Sequence, residues 1–292
     1  MGVKMERQWK AGFMCLMLIG AMLAACAPGK GTVVPTGEIM AATPTAGAAL
    51  PTPGEVRKPA VAGSFYPDDP QKLAAQVDAL LAEAERMEGN PVPIALIVPH
   101  AGYVFSAHVA AQAFKQIEGV DYEAIVVMGN NHRDPTFTRV SVWAEGAFET
   151  PLGYARVDEE LAAALIAAHE RIVFDRGVHR QEHSVEVQLP FLQRIYGERL
   201  RFVPVVIGSP DPENCRALAE ALEKALSGKR ALIVASSDLS HYPAYDDAVR
   251  SDRAILEAII TMDPERFTTA REEMMSQNIP NLVTCACGEG PI

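Results

Sequence analysis

Hydrophobic positions along the chain follow two rhythms. The runs at 94–98 (I-A-L-I-V), 123–129 (E-A-I-V-V-M-G), 201–208 (R-F-V-P-V-V-I-G) and 231–235 (A-L-I-V-A) are short and nearly continuous in apolar residues. Strands buried on both faces read this way. A further strand is expected at 139–144 (R-V-S-V-W-A). Between them, helical spacing predicts helices near 69–87, at 106–117, at 158–169 and over the P-E-N-C-R-A-L run at 212–226. The stretch at 181–196 (Q-E-H-S-V-E-V-Q-L-P-F-L-Q-R-I-Y) is expected to start a helix capped by Ser184. Strands and helices alternating in this manner predict an α/β domain with a mixed, mostly parallel sheet covered by helices on both faces.

Three of the predicted strands run into a histidine. Pro99 has no N–H for a ladder, so the 94–98 strand stops at His100; Gly102 permits the turn, and Ser106 is a candidate N-cap for the next helix. The 123–129 strand is followed by N-N-H, placing His132 past its end, and the 231–235 strand by S-S-D-L-S-H, placing Asp238 and His241 there. Ligand sites of open α/β sheets lie at the carboxyl ends of strands. For His100 taken alone, a hydrogen bond within its turn is a sufficient role, but the recurrence among seven histidines points to a crevice. His183, in E-H-S-V-E, would face the same crevice from a helix start. His108 and His169 fall in predicted helices and His179 in a polar loop, where surface or packing roles suffice.

Composition sets the boundaries. Residues 1–26 carry Lys4, Arg7 and Lys10, an apolar core too short to span a bilayer comfortably, and L-A-A-C ending at Cys26. This is the pattern of a lipoprotein signal with Cys26 as the lipidation site, an uncleaved anchor being the alternative. Either way the protein is expected to be exported and membrane-anchored, facing the periplasm or cell exterior. Residues 27–56, rich in Thr, Ala and Pro, read as a flexible tether, and 57–292 as one domain. The formal charge is −11; losing Lys4, Arg7, Lys10 and Glu6, a net +2, leaves −13. With no basic stripe, nucleic acid is not an expected partner. Once Cys15 and Cys26 are set aside, Cys215, Cys285 and Cys287 remain, an odd set that is no disulfide framework. Cys215 reads as a buried small hydrophobe within its helix.

The motifs R-K-P-A-V-A-G-S-F-Y-P, P-H-A-G-Y, G-x-x-H, E-T-P-L-G, E-H-S-V-E-V-Q-L-P, S-S-D-L-S-H and C-G-E-G-P-I, in this order over 57–292, resemble the Memo family, called AmmeMemoRadiSam system protein B in bacteria. The resemblance implies a fold similar to the class III extradiol dioxygenases of the LigB type and a metal held by His100, His132 and Cys287. It also implies that His183 is an acid and base and that His241 lines the pocket. It further implies that the family's domain continues past C-G-x-x-P-I, so that 57–292 would be truncated at its C-terminal end. The family name associates such proteins with two others, one a radical SAM enzyme. Two features depart from the pattern: a thiolate stands where the dioxygenases use a carboxylate, and G-N-N-H replaces the more usual G-P-x-H. In C-A-C, alternation along an extended segment would point Cys285 and Cys287 to one side, with an oxidised, metal-free pair as an alternative.

Two imidazoles and one anionic ligand leave coordination positions open, the arrangement of non-haem iron oxygenases. One transition metal ion is expected, iron first, with copper or zinc as alternatives. The expected function is redox or dioxygenase-like chemistry on a small substrate. The alternative is a non-catalytic module that binds or delivers metal, or holds a peptide in the crevice. Zinc-assisted hydrolysis, with Glu182 or His183 as general base, ranks third.

Overall fold

The computed structural model describes residues 56–292. The segments read as a signal (1–26, with Cys26 as the expected lipid site) and as a tether (up to residue 55) lie outside the described residues. Val56, the last residue assigned to the tether, opens β1 (Val56–Arg57). Helix α1 (Pro70–Glu83) follows, with β2 (Ala95–Val98), α2 (Tyr103–Lys115), β3 (Ala124–Asn130) and β4 (Val140–Val142). Then come β5 (Ala147–Thr150), β6 (Gly153–Val157), α3 (Glu159–Ala168), β7 (Ile172–Val173), α4 (Arg176–Arg180) and α5 (Leu189–Tyr196). The chain continues through β8 (Arg201–Ile207), α6 (Pro212–Leu226), β9 (Ala231–Ser236), α7 (Tyr245–Ile260) and α8 (Pro264–Ser276).

Aspartates start five of these helices; at α4 it is Asp175, which accepts from Gly177 N at 2.8 Å. Asp69 accepts from Lys72 N at 2.8 Å, Asp158 from Leu161 N at 3.0 Å, Asp211 from Asn214 N at 2.9 Å and Asp263 from Glu265 N at 3.0 Å. In α1, α6 and α8 a proline follows directly, its missing N–H costing nothing at that position. The cap expected at Ser106 is instead Gly102: Tyr103 N donates to Phe65 O at 2.7 Å, so a neighbouring segment satisfies the first turn. Ser106 lies inside α2 and donates back to Ala101 O at 2.7 Å.

The strands pair in the order β1-β5-β6-β8-β3-β9-β2, with β4 against β8 and β7 against β4. The pairings are parallel except β5–β6 and β4–β8, the mixed, mostly parallel sheet that the alternation predicts, and helices flank it. Every residue of 124–129 in β3 is buried. Successive side chains point to opposite faces, so the sheet centre is covered on both. A smaller apolar cluster joins α7 and α8 to the last segment through Ile255, Phe267, Met274, Ile279 and Cys285. Among the described residues, no helix is long and apolar enough to cross a membrane.

Candidate metal centre

Strands β3, β9 and β2 are adjacent and parallel, so their carboxyl ends open on one edge of the sheet. That register brings the residues after each strand together. Asp238, two residues past β9, clasps the turn after β2: its Oδ1 accepts from His100 N at 2.7 Å and Ala101 N at 3.0 Å. The last segment crosses the same edge. Cys287 N donates to Asp238 O at 3.2 Å, and Gly288 N to Ser237 Oγ at 2.9 Å. A Cβ on Gly288 would sit 2.5 Å from Ser236 O and from Ser237 Cβ, so only glycine lets Cys287 lie this close to the end of β9.

Cys287 Sγ stands 3.0 Å from His100 Nε2, and the ring centroids of His100 and His132 are 5.1 Å apart. The ligand atoms of His100, His132 and Cys287 all lie within 4.8 Å of one another. Their surroundings fix the tautomers. Ser236 Oγ donates its one proton to Ser184 O at 2.6 Å and accepts from Gln188 Nε2 at 2.8 Å. Towards His100 Nδ1, at 2.9 Å, it can therefore only accept, which puts the His100 proton on Nδ1 and leaves Nε2 bare. His132 Nδ1 faces Glu182 Oε1 at 2.8 Å. Burial by itself would raise the Glu182 pKa, but its hydrogen bonds from His132 and the nearby imidazoles bring it down to about 2. An ionised carboxylate accepts only, so in the neutral form of the His132 ring the proton also lies on Nδ1. Partners of this kind orient histidine ligands in metal sites.

Glu182 holds backbone as well as the His132 ring. Besides His132 N at 2.6 Å, it accepts from His183 N and Ser184 N, both at 2.9 Å. The loop carrying it is pinned from behind. Arg57 donates to Glu182 O, to His179 O at 3.1 Å and to Glu186. Glu186 in turn accepts from Ala60 N at 2.8 Å, Val61 N at 3.0 Å and Tyr66 OH at 2.5 Å. The F-Y and E-V-Q motifs thus join in one buried network under the site.

His183 stacks on His132 with centroids 4.5 Å apart and meets Phe65 edge-on at 4.8 Å. Its Nδ1 is buried without a hydrogen-bond partner; Glu182 Oε1, at 3.5 Å, is not in hydrogen-bonding geometry. Burial lowers its pKa to about 4 against the opposing pull of Glu182. Burial does the same to His100, bringing it to about 4. The Cys287 thiol is pushed up to about 12, by burial first and Asp238 second. Two bare imidazole nitrogens and a thiol that a cation's charge would deprotonate are a donor set suited to a borderline or soft transition ion. Two overlapping groups, His132–Glu182–His183 and Asp238–His241–Cys287, share its members.

Other expectations fare differently. His241 borders the cluster, its Nε2 3.8 Å from Asp238 Oδ2. Ser184 does not cap a helix: its hydroxyl donates to Asn130 O at 3.1 Å, and α5 begins five residues later. Cys285 and Cys287 do not point to one side. The backbone bends at Cys285, whose fully buried thiol lies 3.8 Å from Arg271 O under α8, and both cysteines are free. Cys215 is half-buried, not fully buried. His108 is exposed; His169 ends α3, and His179 is buried against Ser141 Oγ at 3.0 Å. Sequence reasoning passed over Ser236 and Gln188 and gave Asp238 no task, although S-S-D directly follows a buried strand. Beside Cys287 opens a cleft of about 250 Å³, lined by Asn130, Asn131, Thr284 and Glu289 among others.

The family model described as "Memo-like protein" matches residues 57–292. A MEMO1 family protein of Methanopyrus kandleri is 36% identical over 245 residues, covering 80% of this chain and 83% of the relative. One from Thermoplasma volcanium is 35% identical over 237 residues (81% and 83%), and one from Methanobrevibacter smithii 37% over 249 (81% and 85%). With its motifs in order over the matched span and relatives at this level of identity, the chain belongs to the Memo-like family.

Proposed function

We propose that this protein binds one transition metal ion through His100, His132 and Cys287 and uses it for redox, dioxygenase-like chemistry on a small substrate entering the cleft. Iron is the first choice of ion, with copper or zinc as alternatives. The ion would supply an electrophilic centre with open positions for a chelating substrate. The chain's own residues do the rest. Asp238 and Ser236 hold His100, Glu182 holds His132, and Phe65 and burial keep His183 neutral. The observation that carries the reading is His183: a buried imidazole, stacked on a ligand ring, with a nitrogen not spent on any neighbour. Metal storage needs no such group, whereas proton transfer near neutral pH does.

The test is His183→Ala, with metal content read by elemental analysis and turnover by oxygen uptake, using a catechol as the chelating probe. Metal should stay stoichiometric while turnover falls on the order of 10² to 10⁴-fold. Loss of metal would make His183 a ligand; unchanged turnover would favour the delivery or peptide-binding reading.

The L-A-A-C end of the 1–26 segment supports an exported, lipid-anchored protein. Cys26→Ser should move it from the detergent phase to the aqueous phase, and continued membrane partition would refute lipidation.

A further inference from the structure

Asn130 has no part in the chemistry above, yet its amide reaches the centre of it. It is the last residue of β3, two before His132, and its Nδ2 stands 3.0 Å from His132 Nε2. Because Glu182 keeps the His132 proton on Nδ1, Nε2 can only accept. The amide nitrogen, not the oxygen, must therefore face it. That assignment leaves Asn130 Oδ1 on the other side, buried and without a partner. The residue is held in this pose: its carbonyl accepts from Ser184 Oγ at 3.1 Å, and Gly129 before it lies against the same serine, where a Cβ would come within 2.1 Å of Oγ. Asn130 also lines the cleft that adjoins Cys287.

We propose that Asn130 is a latch on the metal-facing nitrogen of His132. It is a positioning residue whose N–H and the incoming cation compete for one lone pair, so that it sets the affinity of the site. The inference rests on the assignment of His132 as a ligand in the proposed function. The amide has every reason to yield. Its donor is spent on a nitrogen that a cation would take over, and its oxygen has no partner where it lies; rotation away from Nε2 frees both atoms for a ligand in the cleft. A hydrogen bond of ordinary net strength, lost on metal binding, lowers affinity by about two- to tenfold.

The experiment uses the protein with its thiols kept reduced and Zn²⁺ alone as the probe, titrated against a chromophoric chelator. Asn130→Ala should bind Zn²⁺ about two- to tenfold more tightly than wild type. Should that variant not fold, Asn130→Ser, too short to reach Nε2, carries the same expectation. The second measurement needs no metal: in long-range ¹H–¹⁵N spectra of the metal-free protein, the His132 Nε2 resonance should move in the variant, while Nδ1 keeps its proton. Weaker Zn²⁺ binding in the variant would make Asn130 a ligand and overturn the latch. Equal affinity with an unmoved Nε2 resonance would also overturn it. Wild-type protein that fails to bind Zn²⁺ would refute the metal assignment instead, leaving the resonance shift to decide whether the hydrogen bond exists.

Discussion

Replacing Glu182 with glutamine tests the arrangement of the centre at its most connected residue. The carboxylate accepts from His132 N at 2.6 Å, His132 Nδ1 at 2.8 Å, and His183 N and Ser184 N at 2.9 Å each. Glutamine keeps the shape but turns one oxygen into a donor. Seated at the Oε2 position, the new NH₂ faces the His132 backbone N–H. Seated at Oε1, it faces two backbone N–H groups and forces the His132 proton onto Nε2. The first arrangement is the less costly, stranding one buried N–H at about 1–3 kcal/mol. It also replaces a charged acceptor of the His132 ring by a neutral one. Such partners are worth about 10- to 100-fold in metal affinity, or about 1.4–2.7 kcal/mol. The assay is Zn²⁺ competition with a chelator, beside a thermal melt of the metal-free variant. Wild-type affinity in a folded Glu182→Gln protein would refute the claim that Glu182 orients His132.

Other outcomes follow from the same contacts. Glu186→Ala strands the Arg57 guanidinium, whose side chain is 1% exposed, and should cost about 3–5 kcal/mol in urea unfolding, a large part of a typical domain's 5–15. His179 has its pKa lowered from 6.5 to about 3, by burial first and Arg57 second. Between those values the unfolded chain binds a proton that the native state does not, so stability is lost as pH falls below 6.5, by about 1.4 kcal/mol per pH unit for this group. His179→Gln should therefore show a shallower decline of urea midpoint towards acid than wild type; parallel declines would contradict this. Gly288→Ala, its Cβ 2.5 Å from Ser236 O, should leave the fold in place but displace Cys287, abolishing the sulfur-to-metal charge-transfer band of the Co²⁺-loaded protein.

The parts of the fold legible in sequence are those where burial alone dictates residue type. Strands β3, β8 and β9 lie inside a mostly parallel sheet, and their unbroken apolar runs announce it. Strands β1 and β7, two residues each, carry no pattern of their own and exist through their pairing. The hairpin β5–β6 turns within the E-T-P-L-G motif. Helices α7 and α8 lie outside the elements that the hydrophobic rhythm predicts. At the site, position after a strand end singled out His100, His132 and His241. Cys287 came only with the family resemblance, because its approach depends on Gly288 fitting against Ser236 O. The expectation for Cys285 failed because alternation presumes extended backbone, and the chain bends there. The Ser184 cap failed because a tertiary acceptor, Asn130 O, claims the hydroxyl. The low pKa of His183 comes from burial in the tertiary structure, which its place in E-H-S-V-E does not announce.

The central claim, that His100, His132 and Cys287 hold one metal ion, is tested most directly by X-ray absorption on Zn²⁺-loaded protein prepared with reduced thiols. Wild type should show one sulfur at about 2.3 Å and imidazole nitrogens at about 2.0–2.1 Å. Cys287→Ser should lose the sulfur shell and keep the imidazole scattering, while Cys285→Ser should leave both unchanged. A wild-type spectrum without sulfur, or a sulfur shell that survives in Cys287→Ser, would contradict the account.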